Sequence, residues 1–169
     1  METEKTLGRQ EPEKFFQRLL NTLQEQNSAL LRLKANLQAQ YELLLSGRMK
    51  NFLPLLEEQQ ALLWEVEGCE EVRKHLVAEQ GPGQADLTLN ELTALAPAGV
   101  AEDLRRLQKE LQDRVFDIQQ FRERNRHLIQ KSLELIHREI AAIEQLVRIG
   151  YDESGKAEQP KASTINRRI

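Results

Sequence analysis

The sequence predicts an all-α protein, an elongated antiparallel helical hairpin plus a long third helix, packed as a coiled-coil-like three-helix bundle. Three observations predict it. Apolar residues recur at alternating three- and four-residue spacings over long stretches, the periodicity of helices that pack side by side. Hydrophobic residues make up 40% and charged residues 30% of the chain but aromatics only 5%, a composition of long helices rather than of a thick globular core. Proline and glycine gather in a few short stretches that divide the chain, as helix breakers do.

The first helix is expected from about residue 12 to 45. Its seam runs Phe16, Leu19, Leu23, Gln26, Leu30, Leu33, Leu37, Gln40 and Leu44, apolar at seven of nine positions. Pro12 suits a first turn, where its missing N–H removes no helical bond, and Gly47 is a natural stop. The second helix is expected over about 51–80, with Asn51 as N-cap, Pro54 inside the first turn and a seam at Leu55, Gln59, Leu62, Val66, Cys69, Arg73 and Leu76. The few residues between these helices leave them antiparallel neighbours. A linker is expected at 81–99, opened by QGPGQ and closed by APAG; within it Thr88 to Glu91 fit a capping box ahead of Leu92 and Leu95, which predicts a short helical turn.

The third helix is expected over about 100–149. Its stripe begins at Leu104, Leu107, Leu111, Val115, Ile118 and Phe121, then drifts to Ile129, Leu133, Ile136, Ile140, Ile143 and Val147, which keep four-three-four-three-four spacing. Some 50 residues at 1.5 Å each make a rod of roughly 75 Å, whereas a compact chain of this length has a radius of gyration of about 15 Å. Residues 1–150 are therefore expected to form a single elongated helical domain. The last residues, 151–169, are polar and rich in breakers, and are expected to be a disordered tail.

Catalysis needs groups that converge, and the sequence offers none. His127 and His137 lack the i, i+4 spacing with which two imidazoles share a metal. Cys69 lies on an apolar seam, where a thiol serves as a small hydrophobe, and no histidine shares its face as a base. Adjacent carboxylates such as Glu57 and Glu58, or Glu70 and Glu71, have no apolar pocket to separate their pKa values. No phosphate-binding glycine loop, nucleophile elbow or dinucleotide fingerprint is present. No enzyme activity, no cofactor and no metal are expected.

Net charge is -3, with 24 basic and 27 acidic residues interspersed, so no field of one sign is available for nucleic acid. No stretch approaches the ~20 apolar residues of a membrane span. The first residues, METEKTLGRQEPEK, lack the apolar core of a signal peptide, and the single cysteine allows no internal disulfide. A cytoplasmic location is expected.

The remaining feature is the isoleucine-rich end of the third helix. The hairpin helices, at about 34 and 30 residues, span roughly 51 and 45 Å, which leaves some 20 to 30 Å of the third helix without a full set of neighbours. An exposed apolar stripe of that length marks a partner or oligomer surface. The expected contact residues are Ile129, Leu133, Ile136, Ile140, Ile143, Val147 and Tyr151. Trp64 points away from the Leu62 and Val66 seam of its helix, on the side of Leu53, and suits either a buried or a partner-facing role.

The passage from Leu43 to Arg73, which contains LLSGRMKNFLPLLEEQQALLWEVEGCEEVR, is similar to the helical turn of FlgN-type flagellar export chaperones. LTLNELTAL at 87–95 resembles the short element ahead of that family's last helix. In NRHLIQKSLELI, Asn125, Leu128, Ile129, Ser132 and Leu133 match its Asn-x-x-Leu-Leu-x-x-Ser-Leu pattern. YDESG at 151–155 resembles the Tyr and Gly beyond that pattern, and the terminal NRRI resembles the family's basic ending. Order and spacing are kept across about 120 residues. One departure is Arg122, where the family often has a second asparagine. The resemblance implies a cytoplasmic chaperone of the flagellar type III secretion system. Such a protein binds the C-terminal amphipathic segments of hook-filament junction proteins, prevents premature assembly and delivers them to the export gate or ATPase components. The residues alone also allow a structural coiled-coil protein that homodimerises through the same stripe; monomer and homodimer both stay open, as does Tyr151 in client binding or gate docking.

Overall fold

The computed structural model describes residues 12–80 and 87–150, with side chains described as far as Arg148. Every regular element among these residues is helical: α1 Pro12–Ser46, α2 Phe52–Ala78, α3 Leu89–Leu95 and α4 Ala98–Gly150, with a 3-10 turn at Met49–Asn51 between α1 and α2. The chain is all-α. It divides into two compact units, Met1–Asn125 and Arg126–Ile169.

In the first unit the helix directions can be read from side-chain pairs. Asn36 reaches the Leu55 carbonyl and Glu58, Arg32 meets Glu65, and Arg18 meets Glu79, so positions rise along α1 as they fall along α2 and the two are antiparallel. Along α4 the order is reversed. Asn27 pairs with Glu110 at 2.8 Å, Lys34 with Asp117 at 2.6 Å, and the Leu37 carbonyl accepts from Asn125 Nδ2 at 2.9 Å. The first part of α4 therefore runs parallel to α1. The hairpin turns at Gly47, whose φ of 67° is a left-handed conformation that favours glycine; the Arg48 N–H bonds back to the Leu43 carbonyl and closes a Schellman-type stop.

Two apolar clusters fill the space between α1, α2 and α4. One joins Phe15, Phe16, Leu19 and Leu23 of α1 to Leu76 and Val77 of α2, Leu92 of α3, and Leu104 and Leu107 of α4. The other joins Leu30, Leu33 and Leu37 to Leu62 and Ile118. Helix α3 covers the first cluster, held by a complete capping box in which Thr88 Oγ1 accepts from the Glu91 N–H and the Glu91 carboxylate accepts from the Thr88 N–H.

Three local readings need correction. Asn51 occupies the N-cap of α2, but its side chain makes no cap bond; its φ of −102° and ψ of 11° come from the preceding 3-10 turn, not from the extended backbone that aims a capping oxygen. Val115 is exposed, and the half-buried Arg114 holds the inward position, donating to Asn27 Oδ1. The hairpin seam is also more polar than its leucines suggest. Buried Gln40 donates to Asn36 Oδ1 at 2.7 Å and to Gln59 Oε1 at 2.8 Å, linking α1 and α2 through an amide network of the kind that fixes helix register. The disordered tail expected at 151–169 lies outside the described residues.

Candidate partner-binding surface

Within the first unit α4 keeps a strict heptad. Leu104, Leu111, Ile118 and Asn125 fall at one position and Leu107, Arg114 and Phe121 at the other, all of them buried or half-buried. In the second unit the described side chains are exposed apart from the half-buried Leu128 and Ala142. Here Ile129, Leu133, Ile136, Ile140, Ile143 and Val147 lie within about 80° of one helical face at 100° per residue. Ile140 is 49% and Ile143 60% exposed. The structure thus brings six of the seven sequence-derived contact residues onto one solvent-facing stripe. The seventh, Tyr151, lies outside the described residues.

A second row, absent from the apolar stripe expected from the sequence, lies beside the first. Leu128, Leu135, Ala142 and Leu146 continue the heptad that α4 uses inside the first unit, and Leu135 and Leu146 are 54% and 52% exposed. The signal that finds them is phase: each lies at a multiple of seven residues from a bundle position, Leu128, Leu135 and Ala142 from Phe121 and Leu146 from Ile118. Ser132 and Glu139 interrupt the row, which hides it from a search for unbroken apolar spacing.

The flanks of the isoleucine stripe carry charge. Glu134 pairs with Lys131 at 3.6 Å and Arg138 at 3.9 Å on the opposite side of the helix, whereas Glu139 and Glu144, beside the stripe, make no ion pair among the described residues. His127 and His137 are exposed.

Trp64 is 65% exposed, on the outer face of α2 with Leu53, and so contributes to neither apolar cluster. Cys69 is buried. Burial pushes its thiol pKa up, and the nearby Glu25 and Glu65 carboxylates push it further, the opposite of what a nucleophile needs. Arg73, with Gln59 one of two polar members of the α2 seam, is held by Glu70 at 2.7 and 2.8 Å. That bond holds the Glu70 carboxyl below its usual range against the opposing effect of partial burial.

Two concavities stand out among the described residues of the first unit. One, of about 160 Å³, is lined by Asp103, Arg106 and Glu110 among others, and Asp103 and Arg106 are already paired at 2.7 Å. The other, of about 420 Å³, is lined by glutamines and apolar side chains including Phe116, with no titratable group to move a proton. Among the described residues no group of three His, Cys, Asp or Glu is placed to hold a metal ion, and no helix is long and apolar enough to cross a membrane.

Neither curated proteins nor solved structures yield a match to the chain. A scan against family models matches the FlgN protein family over residues 15–159. That span runs from the first buried phenylalanine of α1 through the whole isoleucine stripe, and the chain belongs to the FlgN family of flagellar export chaperones.

Proposed function

We propose that this chain binds the C-terminal amphipathic segments of hook-filament junction proteins through the stripe from Ile129 to Val147, keeps them from assembling, and delivers them to the export gate. The observation that carries the reading is the stripe itself: six aliphatic side chains at unbroken coiled-coil spacing, all exposed on one helical face. An amphipathic client helix that would otherwise self-associate finds there a matching surface for helix-to-helix packing. Tyr151, immediately beyond α4, is assigned to the same contact.

The magnitudes suit a carrier that must let go. Fully burying an Ile, Leu or Val side chain stabilises by about 1.5–3 kcal/mol. Six that are roughly half exposed offer on the order of 5–9 kcal/mol, and association itself opposes binding by an estimated ~4–15 kcal/mol. The two are of similar size, which suits capture with ready release.

The test is titration of the chain with a junction-protein C-terminal peptide, read by calorimetry and light scattering. Ile140→Asp combined with Ile143→Asp removes two half-exposed contacts, about 1.5–3 kcal/mol, and should weaken binding at least ~10-fold at about 1.4 kcal/mol per tenfold while circular dichroism stays helical. A stable homodimer indifferent to the peptide would refute the reading, and so would global unfolding of the double variant. Truncation after Gly150 should keep the helices and weaken binding or delivery.

A further inference from the structure

The exposed part of α4 carries more apolar surface than one client helix covers. The Ile129-to-Val147 stripe and the row of Leu128, Leu135, Ala142 and Leu146 are offset by about one residue, or about 100° of arc, and together take up about half the helix circumference. A two-stranded seam needs only the narrower a and d stripe. The residue choice points the same way. Ile129, Ile136 and Ile143 occupy one heptad position and Leu133, Ile140 and Val147 the other, and isoleucine at d shifts coiled coils from two strands to three or four.

Glu139 adds a chemical requirement. It fills a gap in the second row, on the edge nearer the isoleucine stripe, exposed and without an ion pair among the described residues. One helix laid on the isoleucine stripe leaves it at the rim, in water. Two helices, one on each row, enclose it, and an enclosed carboxylate needs a cation to offset its lost hydration.

Resting on the function proposed above, we infer that the second unit is a docking face for two adjacent amphipathic helices of one client chain, with a lysine or arginine at their junction opposite Glu139. The row from Leu128 to Leu146 receives its helix in the heptad phase by which α4 meets its own hairpin inside the first unit. The small Ala142 lets that helix approach closely.

The experiment measures binding of the intact, monomeric junction protein to the full chain and to three variants. Leu135→Gln with Leu146→Gln exchanges exposed leucines for another good helix former and should weaken binding at least tenfold with helicity unchanged. Glu139→Arg, a surface charge reversal, should weaken it at least fivefold and keeps the inference testable if the leucine pair loses helicity. Ile140→Asp with Ile143→Asp serves as reference. If the reference variant fails to bind while the other two bind as wild type, one helix suffices and the inference is overturned with the proposed function intact. Wild-type binding by all three overturns both. A client-free trimer or tetramer that the isoleucine substitutions dissolve also overturns it, because copies of the chain would then cover both rows.

Discussion

Replacing Asn125 with leucine is expected to stabilise the protein. Asn125 is 4% exposed; its Nδ2 donates to the Leu37 carbonyl at 2.9 Å, while its Oδ1 is buried with no partner among the described residues. The hydrogen bond contributes about 0.5–1.5 kcal/mol net, and the orphaned acceptor costs about 1–3 kcal/mol. Leucine has similar volume, loses the bond, removes the orphan and adds apolar burial beside Leu37 and Phe121, so the balance favours leucine by roughly 1 kcal/mol. In a chain of this size that raises Tm by roughly 2–4 °C, read by thermal melts of the helical circular dichroism with urea midpoints as a check. Asn125→Ala separates the effects: it loses the bond and leaves a void, and should destabilise by about 1–2 kcal/mol. If leucine lowers Tm by more than about 3 °C, the Oδ1 is satisfied and the asparagine is a net stabiliser. If the expected sign holds, the asparagine fixes how α4 registers against α1 at some expense of stability, as single polar residues at coiled-coil seams do.

Two further outcomes are expected in the first unit. Because Arg73 lowers the folded-state pKa of Glu70 below its ordinary value of 4.5, the pair stabilises above that value and the contribution disappears as pH falls through the lower folded value. Glu70→Gln should therefore cost less than about 1 kcal/mol at neutral pH, after allowance for solvent screening of a partly exposed pair, and nothing at the acid end, as measured by urea midpoints from neutral pH down to about 3; a gap that widens towards acid would reverse the assignment. Thr88→Ala removes the capping box of α3 and should destabilise that helix by about 1 kcal/mol, visible as faster amide exchange at Leu92 and Thr93. Unchanged exchange there would mean that packing on the Phe15 and Leu104 cluster, not the cap, holds α3.

The helical class was legible because its signal is redundant: each missing apolar seam position lay between two that were present, so Gln26 and Gln40 did not break the pattern. What those polar residues do was not legible. Gln40 buries its amide against Asn36 and Gln59, and a search keyed on apolar spacing sees only a gap. Val115 was misread for a related reason. Valine suits an inward position, but the half-buried Arg114 takes it and reaches Asn27 with its guanidinium, so phase outranked hydropathy. The capping box at Thr88 was legible because it is local chemistry between residues three apart, whereas Asn51 was not, since the 3-10 turn that misdirects it depends on how the hairpin closes.

The isoleucine stripe was legible by the same periodicity as the core, and periodicity alone does not distinguish a seam that folds the chain from one that meets a partner. The two stretches of α4 do differ in phase. From Leu104 to Asn125 α4 turns one heptad inward; from Ile129 onward the densest apolar spacing falls one residue later, while the old heptad continues in thinner form through Leu128, Leu135, Ala142 and Leu146. A helix selected only to extend its own bundle has no use for the second phase, and one selected only to present a new stripe has no use for retaining the first. Keeping both places exposed aliphatic surface on two adjoining faces, where it contributes nothing to the apolar clusters of the first unit and exposes the chain to unwanted association. Substitutions along Ile129 to Val147 are therefore expected to separate from those at Leu104, Leu107 and Ile118, the former altering association with little change in stability and the latter unfolding the bundle. That separation is what a surface held for a partner requires.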